Sequence, residues 1–99
     1  MEILYSDKAL KQLKKIAKGD KKSAKMIINR IEEYTANPSG NFDIKLLKGK
    51  YGDFKRLRIG NYRIIFDEND NIIHINIIKH RQEAYKWYNH ILLNREINQ

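Results

Sequence analysis

The 99-residue chain contains no cysteine, which excludes disulfides, thiolate nucleophiles and cysteine-ligated metals. That composition fits a cytoplasmic protein. Histidine is scarce too, with three scattered residues, so neither a transition-metal site nor a cofactor is expected. No apolar run approaches the roughly 18 residues that a membrane-spanning helix needs. The opening Met1-Glu2-Ile3-Leu4-Tyr5 lacks the basic start and long apolar stretch of a secretory signal. The five glycines show no Walker spacing. Neither an internal repeat nor a second domain is visible, so residues 1–99 are expected to form one domain with one modest core.

Acidic residues are outnumbered, 12 against 20 lysines and arginines, for a formal charge of +8 and a pI near 9.7. A polyanionic partner is the natural expectation: nucleic acid, an acidic protein, or both in turn. A membrane surface is disfavoured, because no helix pairs a basic face with a large aromatic-rich apolar one.

The most informative stretch runs from Phe54 to Tyr85. Its β-branched and aromatic runs, broken at Gly60-Asn61 and Asn69-Asp70, predict a three-stranded antiparallel meander. A two-residue turn at Gly60-Asn61 sets Ile59 opposite Tyr62, Arg58 opposite Arg63, Leu57 opposite Ile64 and Arg56 opposite Ile65. Leu57, Ile59, Tyr62, Ile64 and Phe66 then share an apolar face, and Arg56, Arg58 and Arg63 share the other. A second two-residue turn at Asn69-Asp70 sets Ile73 opposite Phe66 and Ile75 opposite Ile64. It sends His74, Asn76, Ile78 and, if the strand continues, His80 to the arginine face. Arginines directly opposed on a sheet repel by roughly 0.2–1 kcal/mol per pair unless an anion lies between them. Solvation of an outer face is one way out. Bidentate recognition of phosphate is the other.

Before the meander, Glu2 to Tyr5 predicts a short strand. Ser6 caps a helix to about Lys18 with Leu10, Leu13, Ile16 and Ala17 inward, stopped by a left-handed Gly19. Asp20 caps a second helix to Ala36, burying Ala24, Ile27, Ile28, Ile31 and Tyr34 and ended by Asn37-Pro38. The hairpin carries Lys8, Lys11, Lys14, Lys15, Lys18, Lys21, Lys22 and Lys25, either as a solvated face or as an electrostatic footprint for RNA. Ser39 to Asp53 predicts a basic loop. After Arg81 helical spacing returns, with Ala84, Tyr85, Tyr88, Ile91 and Leu92.

These residues suit RNA cleavage without a metal. The ribose 2′-hydroxyl attacks its own phosphate, so the protein must supply a base, charge on the phosphorane and an acid. Arg63 and Arg81 are candidates for charge on the phosphate, with Arg56 supporting them. His80 is the candidate proton exchanger near neutrality. Tyr85 can stack on a base or donate a proton. Arg58, Lys55, Lys79 and Asn76 are candidate substrate-binding residues. Glu83 is a single carboxylate that can orient Arg81, and no carboxylate pair falls on the arginine face in this register.

The run Arg56-Leu57-Arg58-Ile59-Gly60-Asn61-Tyr62-Arg63-Ile64-Ile65-Phe66, with His80-Arg81-Gln82-Glu83-Ala84-Tyr85 downstream, resembles the RelE/ParE toxin superfamily and its RelE branch in particular. The resemblance covers nearly the whole chain. It implies an α+β, microbial-RNase-like fold: a small antiparallel sheet of about four strands, an N-terminal helical hairpin on one face and a C-terminal helix. It further implies a toxin of a type II toxin–antitoxin pair that cleaves mRNA, commonly in the ribosomal A site. Its partners would be the ribosome and a cognate antitoxin bound as a hetero-oligomer. By similarity Arg63 matches the phosphate-binding arginine, Tyr85 the active-site tyrosine and Arg56 the basic residue of the second strand. Arg81 matches the late arginine, with Lys79 as the alternative under a small shift. Phe54 departs from members that carry lysine there. The runner-up is a ParE-like inhibitor of DNA gyrase with no chemistry of its own.

Overall fold

The computed structural model describes residues 1–49 and 52–83. In chain order the elements are β1 (Glu2–Tyr5), α1 (Asp7–Gly19), α2 (Lys21–Ala36), β2 (Ile44–Gly49), β3 (Gly52–Ile59), β4 (Tyr62–Asn69) and β5 (Ile72–His80). They build a five-stranded sheet in the order β1-β5-β4-β3-β2. Neighbours are antiparallel except β1, which runs parallel to β5. The sheet is thus mixed and one strand wider than the sequence suggests.

The helices start where expected. Ser6 Oγ accepts from the Ala9 N–H at 3.0 Å, and Asp20 Oδ1 accepts from the Ser23 N–H at 3.1 Å. Each satisfies a donor that the first helical turn leaves free. The Ser23 bonds also hold the Asp20 carboxyl below its usual range. Gly19 stays helical rather than left-handed. The break falls at Asp20, whose φ of −151° and ψ of 82° place it at once as C-cap of α1 and N-cap of α2. On α1 the buried position is Ala9, and Leu10 is exposed. The close approach of α1 to the sheet favours the smaller side chain.

The hairpin covers one sheet face. Ala9, Ile27, Ile31 and Tyr34 from the helices pack with Leu57, Ile59, Ile64, Phe66, Ile73, Ile75 and Ile78 from the strands. Tyr34 closes one end, edge-on to Phe42 and to Phe66 at 5.4 Å each, and its hydroxyl donates to Glu68.

The predicted loop before residue 53 is largely strand. Ile44 to Gly49 pairs along β3 from Leu57 to Gly52. Its signal is blurred because Ile44 packs toward the helices, Leu47 toward the opposite face, and Leu46 is exposed on the sheet edge.

The β3–β4 register matches the sequence reading at all four predicted pairs, with Gly60 at φ +55° in the turn. The β4–β5 register does not. Its turn lies at Asp70-Asn71, both at positive φ as a type I′ turn requires, so Ile75 rather than Ile73 faces Phe66. A bulge between Ile65 and Phe66 then shifts the ladder. Beyond it Ile64 pairs with Ile78, Arg63 with Lys79 and Tyr62 with His80. Ile78 and His80 therefore lie on the helix face and Ile77 on the arginine face. A helical turn begins at residues 81–83. The expected C-terminal helix, including Tyr85, lies outside the described residues.

Phe66→Ala is expected to cost about 3–5 kcal/mol, the range for emptying a buried aromatic site, read by chemical denaturation. Burial, aided by the Glu68 carboxylate that accepts its hydrogen bond, raises the Tyr34 phenol above its ordinary value. The unfolded phenol ionises near pH 10 while the folded one stays protonated, so stability falls as pH climbs above about 10. Tyr34→Phe should flatten that alkaline loss in melts taken across this range.

Candidate nucleic-acid interface

The face away from the hairpin carries a basic band that three strands supply. Arg58 on β3 pairs with Arg63 on β4, and Arg63 pairs in turn with Lys79 on β5. Arg56 lies two residues from Arg58 on the same face, opposite Lys45 of β2. Below this band Leu47, Ile65 and Ile77, with Phe54, form a second apolar cluster. This face is therefore a packed layer and not a bare solvated surface.

The sequence reading places Arg63 off the core, yet it is 6% exposed. Its Nη1 donates to the carbonyls of Gly60 and Tyr62, both at 3.1 Å. A buried guanidinium is tolerated when its donors are satisfied, and here the hairpin turn presents two oxygens to it. These bonds fix the head group at the end of the sheet beside Arg58 and Lys79.

The repulsion within the band is relieved by a residue that sequence reasoning missed. The Asp43 carboxylate lies 2.6 Å from Arg56 and 3.7 Å from Arg58. Its signal was an acid just ahead of the lysines of a largely basic stretch. That signal has meaning only once residues 44–49 are recognised as a strand beside β3. On the other flank Glu83 lies 3.8 Å from Lys79.

The remaining candidates separate. Lys55 pairs with Phe66, on the helix face, and lies 3.6 Å from Glu68. His80 meets Tyr62 edge-on at 5.8 Å. Together with Gln12, Lys15 and Ile16 of α1 these two rings line a cleft of about 300 Å³ behind the band. The expected placement of His80 on the arginine face is thus overturned, and Lys79 stands beside Arg63 instead. Asn76 donates to Asp67 at 2.7 Å, and His74 lies 3.4 Å from the same carboxylate, on the arginine face but past the apolar cluster. Arg81 is exposed, and its backbone N–H donates to Asn61 at 2.8 Å. Tyr85 lies outside the described residues. Among those residues no group of three or more His, Asp or Glu side chains could hold a metal.

Residues 3–85 match the family described as the ParE toxin of the type II toxin–antitoxin system parDE. The chain belongs to this toxin family. It is 31% identical over 88 residues to toxin RelE3 of Methanocaldococcus jannaschii, covering 89% of this chain and 99% of the relative. Among solved structures, the RelB–RelE antitoxin–toxin complex of Methanococcus jannaschii is similar at a TM-score of 0.65 and 32% identity, over 83% of this chain and 94% of that one. The YoeB dimer of Staphylococcus aureus aligns at 0.68 and 25% identity, over 81% and 95%. The toxin is thus of the RelE/YoeB/ParE type, with the α+β fold of its neighbours.

Burial alters how Arg63 must be probed. Arg63→Ala removes two charge-assisted hydrogen bonds and is expected to lower stability by about 1.5–3 kcal/mol, seen as a reduced denaturation midpoint. Any loss of toxicity in that variant must be judged against this shift.

Proposed function

We propose that this toxin is an endoribonuclease that cleaves mRNA in the ribosomal A site without a metal, through attack of the ribose 2′-hydroxyl on the adjacent phosphate. The observation that carries this reading is the row Arg58–Arg63–Lys79 across three strands, on the face opposite the hairpin. Such a row suits a phosphorane, whose added negative charge needs fixed donors more than it needs a carboxylate pair. Arg63, held by the hairpin carbonyls, is the central phosphate ligand. Arg56, Arg58 and Lys79 flank it, and the exposed Arg81 extends the band at the hairpin end. Tyr85 is proposed to stack on a base or donate a proton. His80, turned toward α1 behind the sheet, is not the proposed base.

A cognate antitoxin is proposed to hold the toxin in a hetero-oligomer through an acidic or amphipathic segment that complements the +8 charge. The RelB–RelE and YoeB–YefM complexes of its structural neighbours support this. The mRNA and ribosome follow from the nuclease reading. The absence, among the described residues, of any helix long and apolar enough to cross a membrane leaves a cytoplasmic site of action open to it.

One observation favours the second reading, inhibition of DNA gyrase: no histidine stands beside Arg63 among the described residues. Primer extension on mRNA after induction separates the two. New 5′ ends at codon boundaries are expected. Loss of one transition-state donor typically costs on the order of 10²–10³ in rate, so Lys79→Ala should weaken those ends sharply while the protein stays folded. Intact mRNA accompanied by trapped gyrase–DNA complexes would replace the nuclease with the gyrase inhibitor.

A further inference from the structure

The Asp43 carboxylate contacts Arg56 and Arg58, and the nuclease reading gives it no task. It stands immediately before β2, where its carbonyl accepts from the Arg58 N–H at 3.0 Å. Its two carboxylate oxygens are divided between two guanidinium groups. Oδ1 accepts from Arg56 Nη2 at 2.6 Å, and Oδ2 lies 3.7 Å from Arg58 Nη1. The Asp43 and Arg58 side chains are 53% and 55% exposed, so solvent reaches this contact.

The fit of the carboxylate to Arg56 is incomplete. Nε and Nη2 form one edge of a guanidinium, the edge that takes two oxygens of a single anion side by side. Asp43 engages Nη2, while Arg56 Nε is buried and makes no hydrogen bond. Half of the fork is therefore unsatisfied, although an unmet buried donor is costly. A phosphate has the oxygen count and spacing to fill both positions and still face Arg58. The surrounding charge favours that exchange, since Lys45 lies opposite Arg56 and Arg63 opposite Arg58.

We propose that Arg56 and Arg58 form an exchangeable phosphate subsite, in which the Asp43 carboxylate is the resident anion and a backbone phosphate of single-stranded RNA displaces it. This inference rests on the nuclease reading and adds a device to it. In the free toxin Asp43 neutralises the outer part of the band and preserves the two guanidinium groups in a binding geometry. RNA must release it, so weakly charged or short anions are held off. Asp43 acts here as a tuning residue through the arginines and not as a catalytic one.

The test is equilibrium binding of a short 2′-O-methyl single-stranded RNA, which lacks the attacking hydroxyl and cannot be cleaved. The natural chain and its Asp43→Asn and Asp43→Ala variants are titrated from about 50 to 200 mM salt. With the internal anion gone, solution anions take its place and are released on binding. Both variants should then bind about threefold or more tightly at low salt, with a steeper slope of log K against log salt than the natural chain. Arg56→Ala in the Asp43→Asn background should erase the gain. Unchanged affinity and slope in both variants, or weaker binding together with a lowered melting midpoint, would overturn the subsite and leave the nuclease reading standing. If the natural chain and both variants alike fail to bind the RNA, the subsite falls, while the nuclease reading stands or falls separately on the 5′ ends seen by primer extension.

Discussion

The extra residue that β5 accommodates opposite Ile65 and Phe66 decides which chemistry meets Arg63. Without it, an unbroken ladder from the Asp70-Asn71 turn would reverse the face of every β5 side chain beyond Ile75. With it, Ile78 is buried beneath the hairpin, Lys79 joins the basic band and His80 turns to Tyr62. Helix α1 and its cap secure the outer edge of the same stretch of β5. Ser6 Oγ donates to the Asn76 carbonyl at 2.8 Å, and Gln12 Oε1 accepts from the Ile78 N–H at 2.7 Å. Beyond the end of β1 these bonds do what another strand would otherwise do. The packing of the hairpin, the seating of α1 and the identity of the residue beside Arg63 are thus one linked choice. Its chemical consequence is the Lys79 ammonium next to the buried guanidinium in place of Ile78, which an unbroken ladder would set opposite Arg63.

Much of this was legible in the sequence because local signals agreed. Ser6 and Asp20 announced the helix starts, Asn37-Pro38 the stop, and Gly60-Asn61 fixed a hairpin whose apolar residues, Phe54 and Ile65 apart, fell on one side. The hairpin register in turn placed Arg56, Arg58 and Arg63 together. What stayed hidden depended on pairing between distant segments. β2 reads poorly because its leucines serve neither face consistently, and the bulge leaves no mark in Ile72 to Ile78, an almost uniform run of β-branched residues. Isoleucine on either face looks the same until the opposing strand is in place. Asp43 was overlooked for the same reason, since its partners lie 13 and 15 positions onward.

The two faces of the sheet hold their cations differently. Helices α1 and α2 carry eight lysines and a single arginine, Arg30, which engages Glu33 and Phe42. All eight lysines are exposed. The band on the opposite face is mainly arginine: Arg56, Arg58 and Arg63, two of them in charge-assisted contacts with Asp43 and the third hydrogen-bonded to backbone carbonyls. Arginine presents a rigid fork matched to phosphate geometry, whereas lysine is a hydrated point charge on a flexible stem. The sheet face is thereby preorganised for a particular anion geometry, and the hairpin supplies a diffuse positive field that needs no fixed geometry. A polyanion drawn by the whole molecule would be retained by either surface, but the sheet face sets several held guanidinium groups side by side. That difference sets the direction in which an extended chain of phosphates should come to rest. It also explains why neutralising a single carboxylate on the sheet face should count for more than removing one lysine from the helices.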